Sequence, residues 1–161
     1  MRAKLMRVVS SDLRKHILKT YDHKHHELFH RAVANQLNVY NKALILDCHS
    51  FPDTPLKRAV HKIVPRPDFN IGTDAFHTPK KLIELAEAFF KERIFTLGVD
   101  YPFSGSIVPM AYYQKNKDVA SIRLEINRKL YLKEETHLKS ENYNKTKAVV
   151  QEFIQLLKGE L

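Results

Sequence analysis

A chain of 161 residues has the length of one ordinary domain, and 28% charged with 43% hydrophobic residues is a globular rather than a disordered composition. One cysteine excludes an internal disulfide and points to a reducing, cytoplasmic setting, and no segment approaches the roughly 20 apolar residues of a membrane span or the layout of a secretory signal. The formal net charge of +9 is spread along the chain instead of gathering in basic runs between aromatics, so a solvated basic surface is expected in place of nucleic-acid or membrane binding.

In chain order, residues 11–20 read as a short helix. Residues 25–40 read as a longer one, with Leu28, Phe29, Ala32, Val33 and Leu37 at helical spacing. The apolar run Ala43, Leu44, Ile45, Leu46 followed by Asp47, Cys48 and His49 predicts a buried strand that ends at a site. Residues 50–67 hold four prolines and are expected to be loop. Residues 69–72 form a short strand, and Thr78 with Pro79 starts a helix, Thr as N-cap and Pro at the first helical position. Residues 93–99 read as a strand and 100–105 as a loop. Residues 119–126 alternate, with Ala120, Ile122, Leu124 and Ile126 on one face and Ser121, Arg123 and Glu125 on the other. A last helix over 144–158 buries Val149, Val150, Phe153, Ile154 and Leu157. Strands alternating with helices predict a single α/β domain over 1–161, three-layered α/β/α around a mainly parallel or mixed sheet. Sites in such sheets lie beyond the carboxyl ends of the strands.

The stretch "HELFH", residues 26–30, fits the His-Glu-x-x-His pattern of zinc proteases. On a helical wheel, His26 lies about 75° and His30 about 115° from the centre of the apolar face, and Glu27 points to solvent. Only His25, within about 30° of that centre, faces inward. A catalytic Glu on the wet side of a surface helix is badly placed, so the match reads as chance.

Asp47 and His49 are two apart on a strand and share a face. An imidazole there suits zinc, with Asp47 orienting it. Cys48 points the other way and reads as a small buried apolar residue. Glu125, on the polar face of a late strand, suits a general base, or else a salt bridge with Arg123 or a lysine. Arg128 and Tyr131 stand just beyond it, and an arginine fork can hold a carboxylate. The turn around Gly105 lets backbone approach a ligand closely.

The segments "ILDCHSF" at 45–51, "RPDFNIGT" at 66–73, "DYPFSGS" at 100–106 and "LEINRKLY" at 124–131 resemble, in that order, the N-formylglutamate amidohydrolase family. "YDHKHHELF" at 21–29 also resembles a family segment, Tyr-x-Pro-x-His-x-x-Leu, whose histidine falls on His25. The resemblance implies an α/β/α, phosphorylase/hydrolase-like fold similar to zinc carboxypeptidases, and one zinc ion cleaving the amide of N-formyl-L-glutamate or a related N-acyl amino acid. It makes His49 the last zinc ligand, Glu125 the general base, and Arg128, Tyr131, Ser50, Gly105 and Ser106 substrate-side residues, with Asp47 and His25 supporting the ligand. It begins near Tyr21. The family's N-terminal strand, with its Pro-His-Ser-Gly-like motif and further zinc ligands, has no counterpart, so the chain is expected to match the C-terminal two-thirds of such an enzyme. It departs from the family at Asp100 (Asn), Ser106 (Gly) and Arg123 (Gln). Activity is then expected to need a complementing N-terminal fragment, and the uncovered edge to favour self-association. The competing readings are a non-catalytic remnant whose basic surface binds an acidic partner, and the helix-motif zinc protease.

Overall fold

The structure, a computed structural model, describes residues 8–160. Most of the first ten residues, read as lacking a signal-like apolar core, lie outside the described residues. Four strands form one mixed sheet in the order β1-β4-β2-β3. These are β1 (Ala43–Phe51), β2 (Phe69–Gly72), β3 (Leu97–Val99) and β4 (Val119–Asn127). β1 runs parallel to β4 and β2 parallel to β3, while β2 and β4 are antiparallel. The two expectations for the sheet, parallel or mixed, thus resolve to mixed.

The alternation read in 119–126 is what builds the layers. Even-numbered residues of β4 point to one side, where Ile122 and Leu124, both 0% exposed, join Phe69 and Ile71 of β2. That side is covered by α3 (Lys80–Glu92) through Leu82, Ala86, Phe89 and Phe90, and by α4 (Tyr143–Lys158) through Val149, Phe153 and Leu157. Phe69 stacks on Phe90 at 4.3 Å between ring centroids, and Phe153 lies 5.0 Å from Phe90. This aromatic cluster locks both helices to the sheet, since offset aromatic contacts add to the gain from burial. On the other side, α2 (Lys24–Tyr40) lays Val33, with Phe29 and Leu37, over Ala43, Ile45 and Val119. The order helix, sheet, helices is the expected three-layer arrangement.

The two N-terminal helices are not separate. α1 (Ser11–Ile17) passes through a π-helical turn, Leu18–His23, into α2 with right-handed backbone angles at both junctions. One helical rod therefore spans 11–40, and no residue before Val33 in it is buried. It ends at Asn41, whose φ of 56° is the left-handed stop that Asn tolerates.

Three boundaries differ from expectation for local reasons. Thr78 does not cap α3. Its hydroxyl donates to the Ser121 carbonyl at 2.6 Å and accepts from the Asp74 amide, so it ties the helix entry to β4. The strand expected over 93–99 is only Leu97–Val99, because Ile94 takes a left-handed φ of 60° and breaks extended pairing. A small hairpin, β5 (Leu132–Lys133) with β6 (Leu138–Lys139), went unread because two-residue strands leave no periodicity. No helix among the described residues is long and apolar enough to cross a membrane.

Candidate active site

The parallel register of β1 and β4 pairs Asp47 with Arg123, His49 with Glu125, and Phe51 with Asn127. The antiparallel register of β2 adds Asn70 beside Glu125 and Gly72 beside Arg123. Paired residues point to the same face, so a patch three strands wide faces the α2 side. α2 covers the amino-terminal end of that face, at Ala43 and Val119. The carboxyl end of β1 and β4 is left to polar side chains, where open α/β sheets place their ligands.

Asp47 organises the patch. Its Oδ1 lies 2.9 Å from His49 Nε2, and Oδ2 accepts from Arg123 Nε at 3.1 Å. A carboxylate on Nε2 places the ring proton there and leaves Nδ1 with the free lone pair. Asp47 and His49 share a face, as their spacing implied, and their side chains are in hydrogen-bonding contact. Arg123, besides pairing with Asp47, donates to the Ser104 carbonyl at 3.3 Å.

Glu125 is 5% exposed, and no hydrogen bond reaches its carboxylate from the described residues. Burial pushes its pKa above the ordinary range. His49, Arg123 and Arg128 pull it down and Asp47 pushes it up, but desolvation wins. The salt bridge weighed for it with Arg123 is not formed, because Arg123 turns to Asp47. Desolvation that raises a carboxyl in this way is an arrangement that proton-transfer sites also use.

Arg128 follows β4 and donates through Nε to Ser50 Oγ at 3.2 Å and through Nη2 to the Ser50 carbonyl at 3.4 Å. Two of the five residues expected on the substrate side, Arg128 and Ser50, are thus together. Arg128 also borders an open groove of about 420 Å³ with Lys57, Glu134 and His137. Tyr131 is not in that group. It lines a separate cleft with Tyr143, Thr146 and Val150 of α4, beside Ile126, on the opposite side of the sheet from Glu125. The 3-10 turn Arg128–Leu130 swings it there.

The loop carrying Gly105 and Ser106 is fastened to the patch. Asn70 Nδ2 donates to the Phe103 carbonyl at 2.8 Å and Ser121 Oγ to the Ile107 carbonyl at 2.8 Å. Asp100, in a left-handed conformation, accepts from the Thr73 amide at 2.7 Å and the Gly105 amide at 3.3 Å. The Asp100 carboxylate also accepts from the Thr73 hydroxyl, which completes the latch. Gly105 has φ +84° and open space where a Cβ would stand, while a Cβ on Gly72 would meet the Gly105 carbonyl oxygen at 2.3 Å. Ser106 Oγ is buried with no partner.

Two readings are corrected. His25 is exposed, and its ring meets only Phe29 and its neighbour His26. The wheel assumed that the apolar stripe is covered along its whole length, and here the cover reaches only as far back as Phe29, one turn short of His25. Cys48 is exposed as well, because β1 is the edge of the sheet. Partial burial and Asp47 raise its thiol pKa, which opposes a nucleophilic role. The HELFH residues are occupied elsewhere. His26 pairs with Asp22, Glu27 with Arg31 at 2.6 Å, and His30 stacks on Tyr112.

The model of the family described as N-formylglutamate amidohydrolase matches residues 3–132. The chain belongs to the N-formylglutamate amidohydrolase family. The match begins well before Tyr21, and the residues of the long N-terminal helix fall within it. A crystal structure of N-formylglutamate amidohydrolase from Ralstonia eutropha matches with a TM-score of 0.76 at 21% identity, covering 96% of this chain and 59% of that one. At that identity the likeness is one of fold, and this chain spans a little under three-fifths of that protein's length. No curated protein matches significantly.

The zinc that the resemblance implies can be tested against the donors present. Among the described residues no three of His, Cys, Asp or Glu converge on one ion position. His49 offers one nitrogen, and catalytic zinc takes three protein ligands. These residues alone therefore do not fit a zinc centre. Sequence reading missed Asn70 and Asn127, which strand parity puts on Glu125's face only once the register of β2 and β4 is known, and Arg66, which lies in the loop before β2 where no periodicity exists.

Proposed function

We propose that this chain carries the proton-transfer and substrate-holding face of an amidohydrolase acting on N-formyl-L-glutamate or a related N-acyl amino acid. The buried, unpartnered Glu125 beside the Asp47-oriented His49 is the observation that supports it most. Glu125 takes a proton from water as its oxygen bonds to the acyl carbon. The carbon–nitrogen bond then breaks, and the same carboxyl returns the proton to the leaving nitrogen, giving a carboxylate and a free amino acid. Arg128, held by Ser50, binds the substrate carboxylate. Donors for a metal beyond His49 would enter along the free edge of β1, from a strand in this or another chain, where unpaired backbone is ready to accept one.

Formate release from N-formylglutamate tests this, with zinc added and with the family's N-terminal segment supplied in trans. Release is expected in the complemented mixture. No rate above background in any combination would sink the reading.

The same uncovered surfaces favour association. Leu13, Leu18, Tyr21 and Leu28 are all exposed on the helical rod, and helices in proteins draw most of their stability from packing an apolar face, which this arm lacks over most of its length. Light scattering on the purified chain is expected to show concentration-dependent association, and a monomer at all concentrations would refute it.

A further inference from the structure

The HELFH stretch fails as a protease motif, yet two of its side chains stand together. His26 and His30 are one helical turn apart on α2, which sets their Cβ atoms about 5–6 Å from each other. Both are exposed, and no hydrogen bond from the described residues reaches either ring. The contact of His26 with Asp22, at 3.6 Å, is too long to be one. Glu27, between them, is held by Arg31.

The two histidines form one wall of an open groove of about 370 Å³, and Pro109, Met110 and Ala111 form the other. Met110 is 75% exposed, but its turn is firmly seated. The Tyr112 and Tyr113 amides donate to the Pro109 carbonyl at 2.8 and 3.0 Å, and the Gln114 amide donates to Nε2 of the buried His77 at 2.8 Å. His30 stacks on Tyr112 of the same turn, with 5.2 Å between centroids and 17° between planes. A stack engages the faces of an imidazole and leaves its in-plane nitrogens free. Two imidazoles and one thioether thus line one groove whose walls are fastened to each other, and no residue of the Glu125 patch lines it.

Solvation accounts for either histidine alone, and a single exposed methionine is ordinary. As a set, the three donors have a definite chemical preference. Imidazoles at one-turn spacing reach the same ion, the geometry that the His-Glu-x-x-His pattern exploits. The three rotatable bonds of a methionine let its sulfur swing onto an ion that a helix already holds. Sulfur is a soft donor, and soft ligands beside imidazole favour monovalent copper, where oxygen ligands favour magnesium or calcium.

The geometry points to a copper(I) site on α2, with His26 and His30 as nitrogen ligands and Met110 as the sulfur ligand. It is independent of the reaction proposed above. The full-length Cys48→Ser chain, which lacks the one exposed thiol, is titrated anaerobically with copper(I) against a colorimetric copper(I) chelator. One copper ion per chain is expected, with a sulfur neighbour in its X-ray absorption spectrum. Met110→Leu in that background is expected to lose the sulfur neighbour and to weaken copper roughly tenfold. His26→Gln and His30→Gln are each expected to weaken it by at least as much, and Glu125→Gln to leave it unchanged. The three ligand side chains are exposed, so these variants keep the fold. Zinc(II) is expected to bind more weakly and to be indifferent to Met110→Leu. No bound copper, a sulfur neighbour that survives Met110→Leu, an affinity untouched by both histidine variants or lowered by Glu125→Gln, or zinc bound more tightly than copper overturns the site.

Discussion

Glu125→Gln is expected to lower the rate of the complemented hydrolase by about 10²–10⁴-fold, the usual contribution of a positioned general acid–base, while leaving the chain folded. The two halves of that expectation have separate causes. The rate falls because an amide cannot cycle a proton. The fold persists because no hydrogen bond from the described residues depends on the carboxylate, and Gln fills the same volume. The pH dependence sharpens the test. Burial raises the pKa of Glu125 above its ordinary value of 4.5, so the native state holds this proton more tightly than the unfolded chain. Its contribution to stability is fully present below the ordinary value and is lost as pH rises through the raised one. Activity requires the deprotonated base and therefore rises over the same window. The wild type should gain rate and lose stability together as pH climbs, and Glu125→Gln should show neither slope. Rate–pH profiles and denaturant midpoints on both proteins measure this, and a wild-type stability that rose across that window, with an unchanged mutant rate, would refute the assignment.

What the sequence could disclose follows from where each signal resides. The alternation of 119–126 encodes both faces of β4, and with it the separation of Glu125 from the Ile122–Leu124 core. The apolar face of α3 and α4 is likewise written in single segments. Strand order is not, because pairing β1 with β4 across 76 positions, as Asp47 and Arg123 do, leaves no local trace. Asn70 was missed for that reason, since only the assembled sheet sets it beside Glu125. The reading of His25 failed differently. A wheel reports which residues could be covered together, and whether anything covers them is a tertiary fact. Edge position misled in the same way at Cys48, where a run of four apolar residues suggested a buried strand, yet β1 is flanked on one side only.

Phe90→Ala is expected to cost about 3–5 kcal/mol and to lower the melting temperature by roughly 10 °C or more, without touching a residue of the patch. Phe90 is 0% exposed and contacts Phe69 of β2, Phe89 of its own helix and Phe153 of α4. Truncation opens a cavity at the point where both helices meet the sheet, and rigid aromatic neighbours collapse poorly into it. A loss of that size is a large fraction of a domain's net stability. It propagates to chemistry only through the population of folded chain: β2 rests on Phe90 through Phe69, and one residue along β2 turns Asn70 to the other face beside Glu125. At a temperature where the variant is still folded, its hydrolysis rate should approach that of the wild type, and its rate–pH profile should keep the position set by Glu125. Thermal melts and rates measured side by side decide the matter. A large rate loss in folded Phe90→Ala would mean that the patch is strained into place by the core behind it, and that the two faces of the sheet do not act independently.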